Sequence, residues 1–177
     1  MRTIAITIIA LCICACATTV THADESAARI VIMVRHAEKA DDDPKDPTLS
    51  HVGQQRALDL AHALSNSPPT AIFVSPYRRT QLTAAPAAEQ FGIAPTVVPI
   101  EGDAEQYALD VAAAIAQVDA TGTVLVVGHS NTIPPLIGAL GGHEPTIGEK
   151  DYKDLFILHQ PGPKAQLIHA RYGSNDE

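Results

Sequence analysis

The chain has 177 residues, and its 12 basic and 20 acidic residues give it a formal net charge of −8 at pH 7. This length suits one domain with a substantial core. An acidic surface repels nucleic acid and anionic lipid at long range, so any anionic ligand must be held by local positive groups. The composition therefore argues against a nucleic-acid-binding protein.

The first 23 residues have the organisation of an export signal. Arg2 is a thin basic start, residues 4–17 are almost wholly apolar, and Thr21-His22-Ala23 is followed by acidic residues. The apolar run is shorter than the roughly 20 residues that a membrane-spanning helix needs, so cleavage is favoured over an anchor. We expect a signal peptide over residues 1–23, a mature domain over residues 24–177, and a periplasmic or secreted location.

All three cysteines, Cys12, Cys14 and Cys16, lie in the predicted signal peptide, so the exported domain is expected to have no disulfide bond. Ile13-Cys14-Ala15-Cys16 also resembles a bacterial lipobox, in which Cys16 would carry lipid and become the mature N-terminus. Cys at the second position of that motif is atypical, so lipidation is the alternative to simple cleavage. Membrane association is expected only with lipidation. Removal of the signal peptide takes Arg2 with it and leaves 11 basic and 20 acidic residues, a net charge of −9.

Apolar runs predict the strands. Four of them are typical of strands buried on both faces of a parallel sheet: residues 30–36, 71–75, 96–100 and 123–128. Near the end of the chain, residues 154–159 and 165–172 flank Pro161-Gly162-Pro163 and are typical of a hairpin.

Helical spacing of apolar residues appears between the predicted strands. Ser50 is a plausible N-cap for a first helix, whose inward face consists of Ala57, Leu60, Ala61 and Leu64. A second helix is predicted from about Pro76 to Phe91, with a kink at Pro86 and an end at Gly92.

Two more helices follow. The third is predicted to begin at the N-cap Asp103 and to end before Thr121-Gly122. The fourth is short, begins near Thr132 with two prolines in its first turn, and ends at Gly141-Gly142. Strands and helices in this alternation predict an α/β fold, a three-layer α/β/α sandwich with a mostly parallel central sheet.

Two histidines stand at the ends of predicted strands. The first belongs to Arg35-His36-Ala37-Glu38 and the second to Gly128-His129-Ser130. Ligands of open α/β sheets collect outside the carboxyl ends of the strands, so both histidines are expected to converge on one ligand. A neutral imidazole is a good nucleophile toward phosphorus, and a guanidinium offers phosphate a planar fork of donors. The pattern therefore indicates phosphoryl chemistry, with His36 as the nucleophile.

Four motifs occur in order between residue 29 and about residue 142. They are Arg35-His36-Ala37-Glu38, Leu49-Ser50-His51-Val52-Gly53, the stretch from Ser75 to Ala84, and Val127-Gly128-His129-Ser130-Asn131. They resemble the R-H-[GA]-E, L-[ST]-x-x-G, S-x-x-x-R-x-x-x-T-A and second-histidine elements of the histidine phosphatase superfamily, except that Arg56 stands where a Gln is usual. The resemblance implies a phosphoglycerate mutase-like fold and, with the export signal, a small exported bacterial member.

The resemblance also implies roles for the site residues. His36 becomes phosphorylated, whereas Arg35, Arg79 and His129 bind the phosphate of the substrate. His129 is in addition a catalytic residue, which should be protonated to bind phosphate. Glu38 is expected to hold Arg35 or His36 in place rather than to act on the substrate.

The proton donor for the leaving group is left open. An alkoxide needs a proton, so a carboxylic acid is expected near the bridging oxygen. The acid phosphatase branch of the superfamily has Asp directly after the second histidine, and Ser130 at that place excludes this branch. The other branch has a Glu soon after the third strand, which implies Glu101 as the catalytic acid. Asp103 competes, although a helix N-cap is its expected role, and some compact members lack the acid.

No motif points to a metal or cofactor. The remaining histidines of the predicted mature domain lack metal-ligand spacing: His51, His62, His143, His159 and His169. The sequence also has no glycine-rich phosphate loop, so a nucleotide would enter only as a substrate. We expect no metal and no cofactor.

The sequence predicts an exported phosphatase that hydrolyses phosphomonoesters or related phosphorylated groups through phosphohistidine at position 36. Its substrate would be a phosphorylated small molecule or a phosphoprotein. One alternative is a non-catalytic phosphate-binding domain of the same fold. A phosphomutase is less favoured, because mutases that resemble this family use longer insertions to cover the substrate, and export would separate the protein from glycolytic intermediates.

Overall fold

The computed structural model describes residues 28–119, 121–160 and 165–173. The predicted signal peptide, the candidate lipidation site at Cys16 and the sequence Pro161-Gly162-Pro163 lie outside these residues. Within the described ranges, no helix has the length and apolar character to cross a membrane.

The described part of the chain forms one six-stranded sheet. Its strands are β1 (Arg29–Arg35), β2 (Pro69–Val74), β3 (Thr96–Val97), β4 (Gly122–Gly128), β5 (Asp154–Gln160) and β6 (Gln166–Arg171). They lie in the order β3-β2-β4-β1-β5-β6. The first four are parallel, whereas β5 is antiparallel to β1 and β6 is antiparallel to β5. The mostly parallel sheet and the terminal hairpin are as predicted.

The strand β3 is shorter than the predicted run of residues 96–100. The backbone N–H of Val98 still donates to the carbonyl oxygen of Val74 at 2.9 Å. After this bond the ladder with β2 ends, where Pro99 holds φ at about −65°, away from the extended strand conformation.

Four helices join the strands in the described residues. They are α1 (His51–Ala63), α2 (Arg78–Phe91), α3 (Ala104–Ala116) and α4 (Ile133–Ala139). Ser50 caps α1 by accepting from the N–H of Gly53, and Asp103 caps α3 by accepting from that of Gln106. Gly92 ends α2 in the left-handed region at φ 67°. The predicted start and stop signals therefore act where they were expected.

The helices cover both faces of the sheet. In β1, Ile32 and Val34 pack in one core with α1 and α2, whereas Val31 and Met33 pack in another core with α3 and α4. Alternate residues of a strand point to opposite faces, so an unbroken apolar strand needs this cover on both sides. The three-layer α/β/α sandwich is confirmed.

The topology opens a crevice between β1 and β4. The chain leaves β1 toward α1 on one face of the sheet, but it leaves the neighbouring parallel strand β4 toward α4 on the other face. Arg35 is paired with Gly128 at the last register position, and the N–H of His36 donates to the carbonyl oxygen of Gly128 at 2.9 Å. Such a switch point is where ligands bind in open α/β sheets.

Candidate active site

The two predicted histidines meet at this crevice. The ring centroids of His36 and His129 are 5.3 Å apart, with an interplanar angle of 63°. Both side chains are buried. Since both residues directly follow adjacent strands in register, the ladder between β1 and β4 sets their separation.

One nitrogen of His36 is held by the backbone. Nδ1 lies 2.8 Å from the carbonyl oxygen of Ala37, which can only accept, so Nδ1 carries the proton and Nε2 has the lone pair. Burial, followed by the positive charges of Arg35 and Arg79, lowers the pKa of His36 to about 4. His36 is therefore a neutral imidazole at pH 7, the form in which it is nucleophilic.

A chain of hydroxyl groups holds His129. Its Nε2 lies 2.9 Å from Oγ of Ser75, which lies 2.9 Å from Oγ1 of Thr80. The hydroxyl group of Thr80 has one proton, which it donates to a backbone carbonyl oxygen. The carbonyl oxygen of Tyr77 lies 2.8 Å from Oγ1 of Thr80, and that of Ser75 lies 3.0 Å away. Ser75 then donates to Thr80 and accepts from Nε2–H of His129, which leaves the lone pair on Nδ1 of His129.

Burial, and then the charges of His36, Arg79 and Arg35, lower the pKa of His129 to about 3. His129 is accordingly neutral at pH 7, whereas the family resemblance implied a protonated residue. A bound phosphate would favour the charged form, because an opposite charge nearby raises the pKa of a histidine. The predicted protonation of His129 therefore requires the phosphate itself.

Arg35 points its guanidinium into the space beside the histidines. Its Cζ lies 4.3 Å from the ring centroid of Tyr152, Nη1 donates to the carbonyl oxygen of Gly148 at 2.8 Å, and Nη2 contacts Oε2 of Glu149 at 3.2 Å. Its buried Nε has no hydrogen-bond partner among the described residues. An unpaired buried donor is costly, so it indicates a site built for an acceptor.

Arg79 repeats this arrangement from the first turn of α2. Its Cζ lies 4.0 Å from the ring centroid of Tyr77, and Nη1 lies 3.7 Å from Oδ1 of Asp46. Its Nε is also buried and unpaired within the described ranges. The charges of Arg35 and Arg79 both act on the two histidines, so these four of the five predicted site residues lie together.

Glu38 does not hold Arg35 or His36, and that prediction is wrong. Its two carboxylate oxygens each lie 2.8 Å from Nε of Arg56, and Oε1 lies 2.6 Å from Nη2 of Arg56. The reason is the packing of α1, whose first turn lies so close that a Cβ at Gly53 would collide with the backbone oxygen of Glu38. The unusual Arg at position 56 was the sequence signal for this ion pair.

The segment after His36 is fixed on both sides. The N–H of Ala37 donates to Oγ1 of Thr83 on α2 at 2.9 Å, and the N–H of Ser50 donates to the carbonyl oxygen of Glu38 at 2.9 Å. The residues between these points form a loop, defined here as the 40–48 loop. It is closed at its base by the Ala40 N–H to Thr48 carbonyl hydrogen bond of 2.9 Å and by a bridge between residues 39 and 49.

Two cavities lie near the candidate site: one is lined by His129 and the other by Glu149 and Tyr152, which contact Arg35. One, of about 320 Å³, is lined by Tyr77, Arg79, Ile100, Gly102, Asp103, Ala104, Tyr107, His129, Asn131 and Thr132. The other, of about 870 Å³, lies over the 40–48 loop and is lined by Glu38, Lys39, Ala40, Asp41, Asp43, Pro44, Pro47, Glu149, Lys150 and Tyr152.

The structure separates the two candidate acids. Glu101 is exposed, and although its neighbours Ile100 and Gly102 line the smaller cavity, Glu101 itself does not. Asp103 does line it, but its Oδ1 accepts from the N–H of Gln106 at 2.9 Å as the N-cap of α3. The catalytic role of Glu101 therefore stays a prediction.

Sequence reasoning missed the aromatic supports of the arginines. Tyr77 precedes α2 inside a quoted motif, and its place two residues before Arg79 was the available signal. Tyr152 and Glu149 come from the segment before β5, and Glu149 is 114 residues away from Arg35 in the chain. No local pattern could pair residues so far apart.

Comparison with known proteins agrees with the site. Residues 31–102 match the sequence profile of the histidine phosphatase superfamily (branch 1). Together with the motifs and the fold, this match places residues 31–102 in the histidine phosphatase superfamily. No curated protein sequence matches the chain significantly.

Solved structures of other proteins share the fold. The structure of a mycobacterial glucosyl-3-phosphoglycerate phosphatase is similar with a TM-score of 0.61 at 17% identity, over 82% of this chain and 100% of that one. The structure of the protein histidine phosphatase SixA, complexed with tungstate, has a TM-score of 0.62 at 17% identity, over 80% of this chain and 96% of that one. The structure of a phosphoserine phosphatase from Entamoeba histolytica, in complex with 3-phosphoglyceric acid, has a TM-score of 0.60 at 16% identity, over 83% of this chain and 98% of that one.

Proposed function

We propose that this protein is a phosphatase that hydrolyses phosphomonoesters or related phosphorylated groups through a phosphohistidine at His36. One observation carries the proposal. The lone pair of His36 is on Nε2, beside two arginines whose buried Nε donors are unpaired within the described residues. A neutral nucleophile beside fixed donors for phosphate oxygens is what phosphoryl transfer requires.

The reaction would proceed in two displacements. Nε2 of His36 attacks phosphorus, the N–P bond forms as the bond to the leaving oxygen breaks, and Arg35 and Arg79 stabilise the charge on the equatorial oxygens. The leaving oxygen takes a proton from a nearby acid or from water. Water then attacks the phosphohistidine, the N–P bond breaks, and phosphate and neutral His36 are regenerated. His129, protonated once phosphate is bound, adds a further donor.

The substrate would be a phosphorylated small molecule or a phosphoprotein. The structurally similar proteins support this breadth, since their names include a sugar-phosphate phosphatase, a phosphoserine phosphatase and a protein histidine phosphatase. The sequence pattern of residues 1–23 supports action in the periplasm or outside the cell, after cleavage or, as the alternative, after lipidation at Cys16.

A non-catalytic phosphate-binding domain is the second candidate. It is favoured by the placement of the acids, because Glu101 lies outside the cavity lining and Asp103 is engaged as a helix cap. The phosphomutase alternative has less support, since the connections between the elements are short.

Replacement of the nucleophile tests the proposal. His36→Ala should abolish hydrolysis and leave the fold intact, whereas the matched change of an exposed histidine, His51→Ala, should not affect turnover. The wild type should give an acid-labile, base-stable phosphoenzyme. Retention of more than about a tenth of wild-type activity in His36→Ala would exclude the covalent mechanism.

A substrate screen distinguishes the phosphatase from the non-catalytic phosphate-binding domain. The wild type should be screened against phosphosugars, phospholipid head groups, pyrophosphates and phosphohistidine peptides. Binding of inorganic phosphate without turnover of any of these substrates would favour the non-catalytic domain.

A further inference from the structure

The contacts of the Arg35 guanidinium described above come from one short stretch, defined here as the 148–152 segment. Gly148 supplies a carbonyl oxygen to Nη1, Glu149 a carboxylate oxygen to Nη2, and Tyr152 a ring beneath the guanidinium plane. The positions of these three groups depend on how the segment is held.

The backbone of the 148–152 segment is a closed turn. The N–H of Gly148 donates to Oδ2 of Asp151 at 2.7 Å, and the N–H of Asp151 donates back to the carbonyl oxygen of Gly148 at 3.2 Å. The N–H of Tyr152 donates to the carbonyl oxygen of Lys150 at 3.0 Å. A side chain at Gly148 would collide with the Asp151 carboxylate. The carbonyl of Gly148 and the ring of Tyr152 are therefore fixed supports of Arg35.

Glu149 differs from these supports. Its side chain is 85% exposed, whereas that of Arg35 is 3% exposed. Ion pairs with one solvated partner are weak, because water competes for the carboxylate and the long side chain loses rotamer freedom. Glu149 is thus held only loosely at Nη2.

The position of the Glu149 contact is informative. Nε and Nη2 form the side edge of a guanidinium, on which two N–H groups point in parallel and match two oxygens of a phosphate. On Arg35 this edge carries Glu149 at Nη2 and has Nε unpaired. Glu149 therefore stands on the edge of Arg35 that is suited to bidentate phosphate binding.

Arg79 provides the contrast. Its carboxylate partner, Asp46, contacts Nη1, away from the side edge formed by Nε and Nη2. Asp46 is also fixed, because its Oδ1 accepts from the N–H of Arg78 at 2.9 Å and its side chain is 33% exposed. Asp46 can stay in place while phosphate binds, whereas Glu149 cannot.

We propose that Glu149 is a displaceable internal competitor of phosphate, which occupies the Nη2 donor of Arg35 in the free protein and leaves it when a phosphoryl group binds. It lowers the affinity for substrate phosphate and for product phosphate alike, and so it assists product release. The inference rests on the proposed function, since it assigns the same site to phosphate.

Titration calorimetry with inorganic phosphate, at fixed pH and ionic strength, tests the competition. Glu149→Gln keeps the shape of the side chain and removes its charge, so it should bind phosphate roughly two- to five-fold more tightly than the wild type does, the range for loss of an exposed ion-pair competitor. Asp41→Asn is the matched control, because it removes an equal charge from the lining of the same cavity. Its effect should be clearly smaller.

The outcomes separate this inference from the proposed function. Equal affinities of Glu149→Gln and Asp41→Asn would overturn the competition, and weaker binding by Glu149→Gln would make Glu149 a support of Arg35 instead. Tighter binding by Glu149→Gln in a protein that turns over no substrate would keep the competition and reject the phosphatase. Absence of phosphate binding in all three proteins would reject both.

Discussion

Glu38 and Arg56 form an ion pair that ties the segment after His36 to α1, with Nε of Arg56 2.8 Å from both carboxylate oxygens. The side chain of Arg56 is 5% exposed and that of Glu38 is 21% exposed. Removal of one partner leaves a mostly buried charge without compensation. The pair is therefore expected to matter for stability more than an ordinary surface ion pair.

Arg56→Ala should lower the free energy of unfolding by roughly 3 kcal/mol, the scale for breaking a buried ion pair. Arg56→Gln should lose less, because its amide can still donate to Glu38. Denaturant unfolding measures both changes. The exposed neighbour gives a control, Gln55→Ala, and an equal loss in that variant would show that the ion pair contributes nothing special.

Arg79→Ala should cost on the order of 3 kcal/mol in transition-state stabilisation, measured as the change in kcat/KM, whereas Arg78→Ala should be nearly neutral. The positive charge of Arg79 lowers the pKa of both histidines, and its guanidinium stacks on the ring of Tyr77. Arg78 is exposed, and its side chain donates to the backbone oxygen of Asp46 at 3.4 Å. Similar losses in the two variants would show that Arg79 has no special place at the phosphate.

Substrates with different leaving groups test whether Glu101 is the catalytic acid. Glu101→Gln should slow the hydrolysis of alkyl phosphates by roughly 10²-fold, the usual contribution of a positioned acid, and should affect para-nitrophenyl phosphate much less. Asp103→Asn is the control, because Asn caps a helix about as well as Asp does.

A reversed result, with the leaving-group-dependent loss in Asp103→Asn alone, would make Asp103 the acid, in agreement with its place in the cavity lining. If neither variant shows the loss, the enzyme works without a general acid. Its substrates would then have good leaving groups, such as pyrophosphates or phosphohistidine.

Stability should fall as the pH falls from about 7 to about 5. The pKa of His36 is lowered to about 4 and that of His129 to about 3, from an ordinary value of 6.5. Below pH 6.5 the unfolded chain therefore binds protons that the folded chain does not, which favours unfolding. Melting temperatures across this range measure the effect. His129→Gln should give a flatter profile than the wild type, and an unchanged slope would argue against a neutral buried His129.

The elements with local signals were predictable from the sequence. Ser50, Asp103 and Gly92 act within one turn of the chain, so their capping roles follow from neighbouring residues, and the helix bounds came out close to the prediction. The convergence of His36 and His129 also followed, because parallel strands end at one edge of the sheet.

The partners of the site residues were not predictable in the same way. Glu38 was expected to bind its sequence neighbours, but the close approach of α1 gives it Arg56. The contacts of Arg35 with Glu149 and Tyr152 depend on how the segment before β5 folds back across the sheet edge. Such pairings are decided by tertiary packing, which motif spacing does not encode.

The closed base of the 40–48 loop allows the loop to change in length without moving the strands that position His36. His36 is fixed by strand pairing and by the anchors on either side of the loop, so residues inserted beyond the Ala40–Thr48 hydrogen bond need not move His36. Doubling the length of a flexible loop costs only about 0.6 kcal/mol in closure entropy. The loop lines the larger cavity, so insertions can reshape that cavity while the ladder that positions His36 stays in place, provided that Asp46 keeps its contact with Arg79.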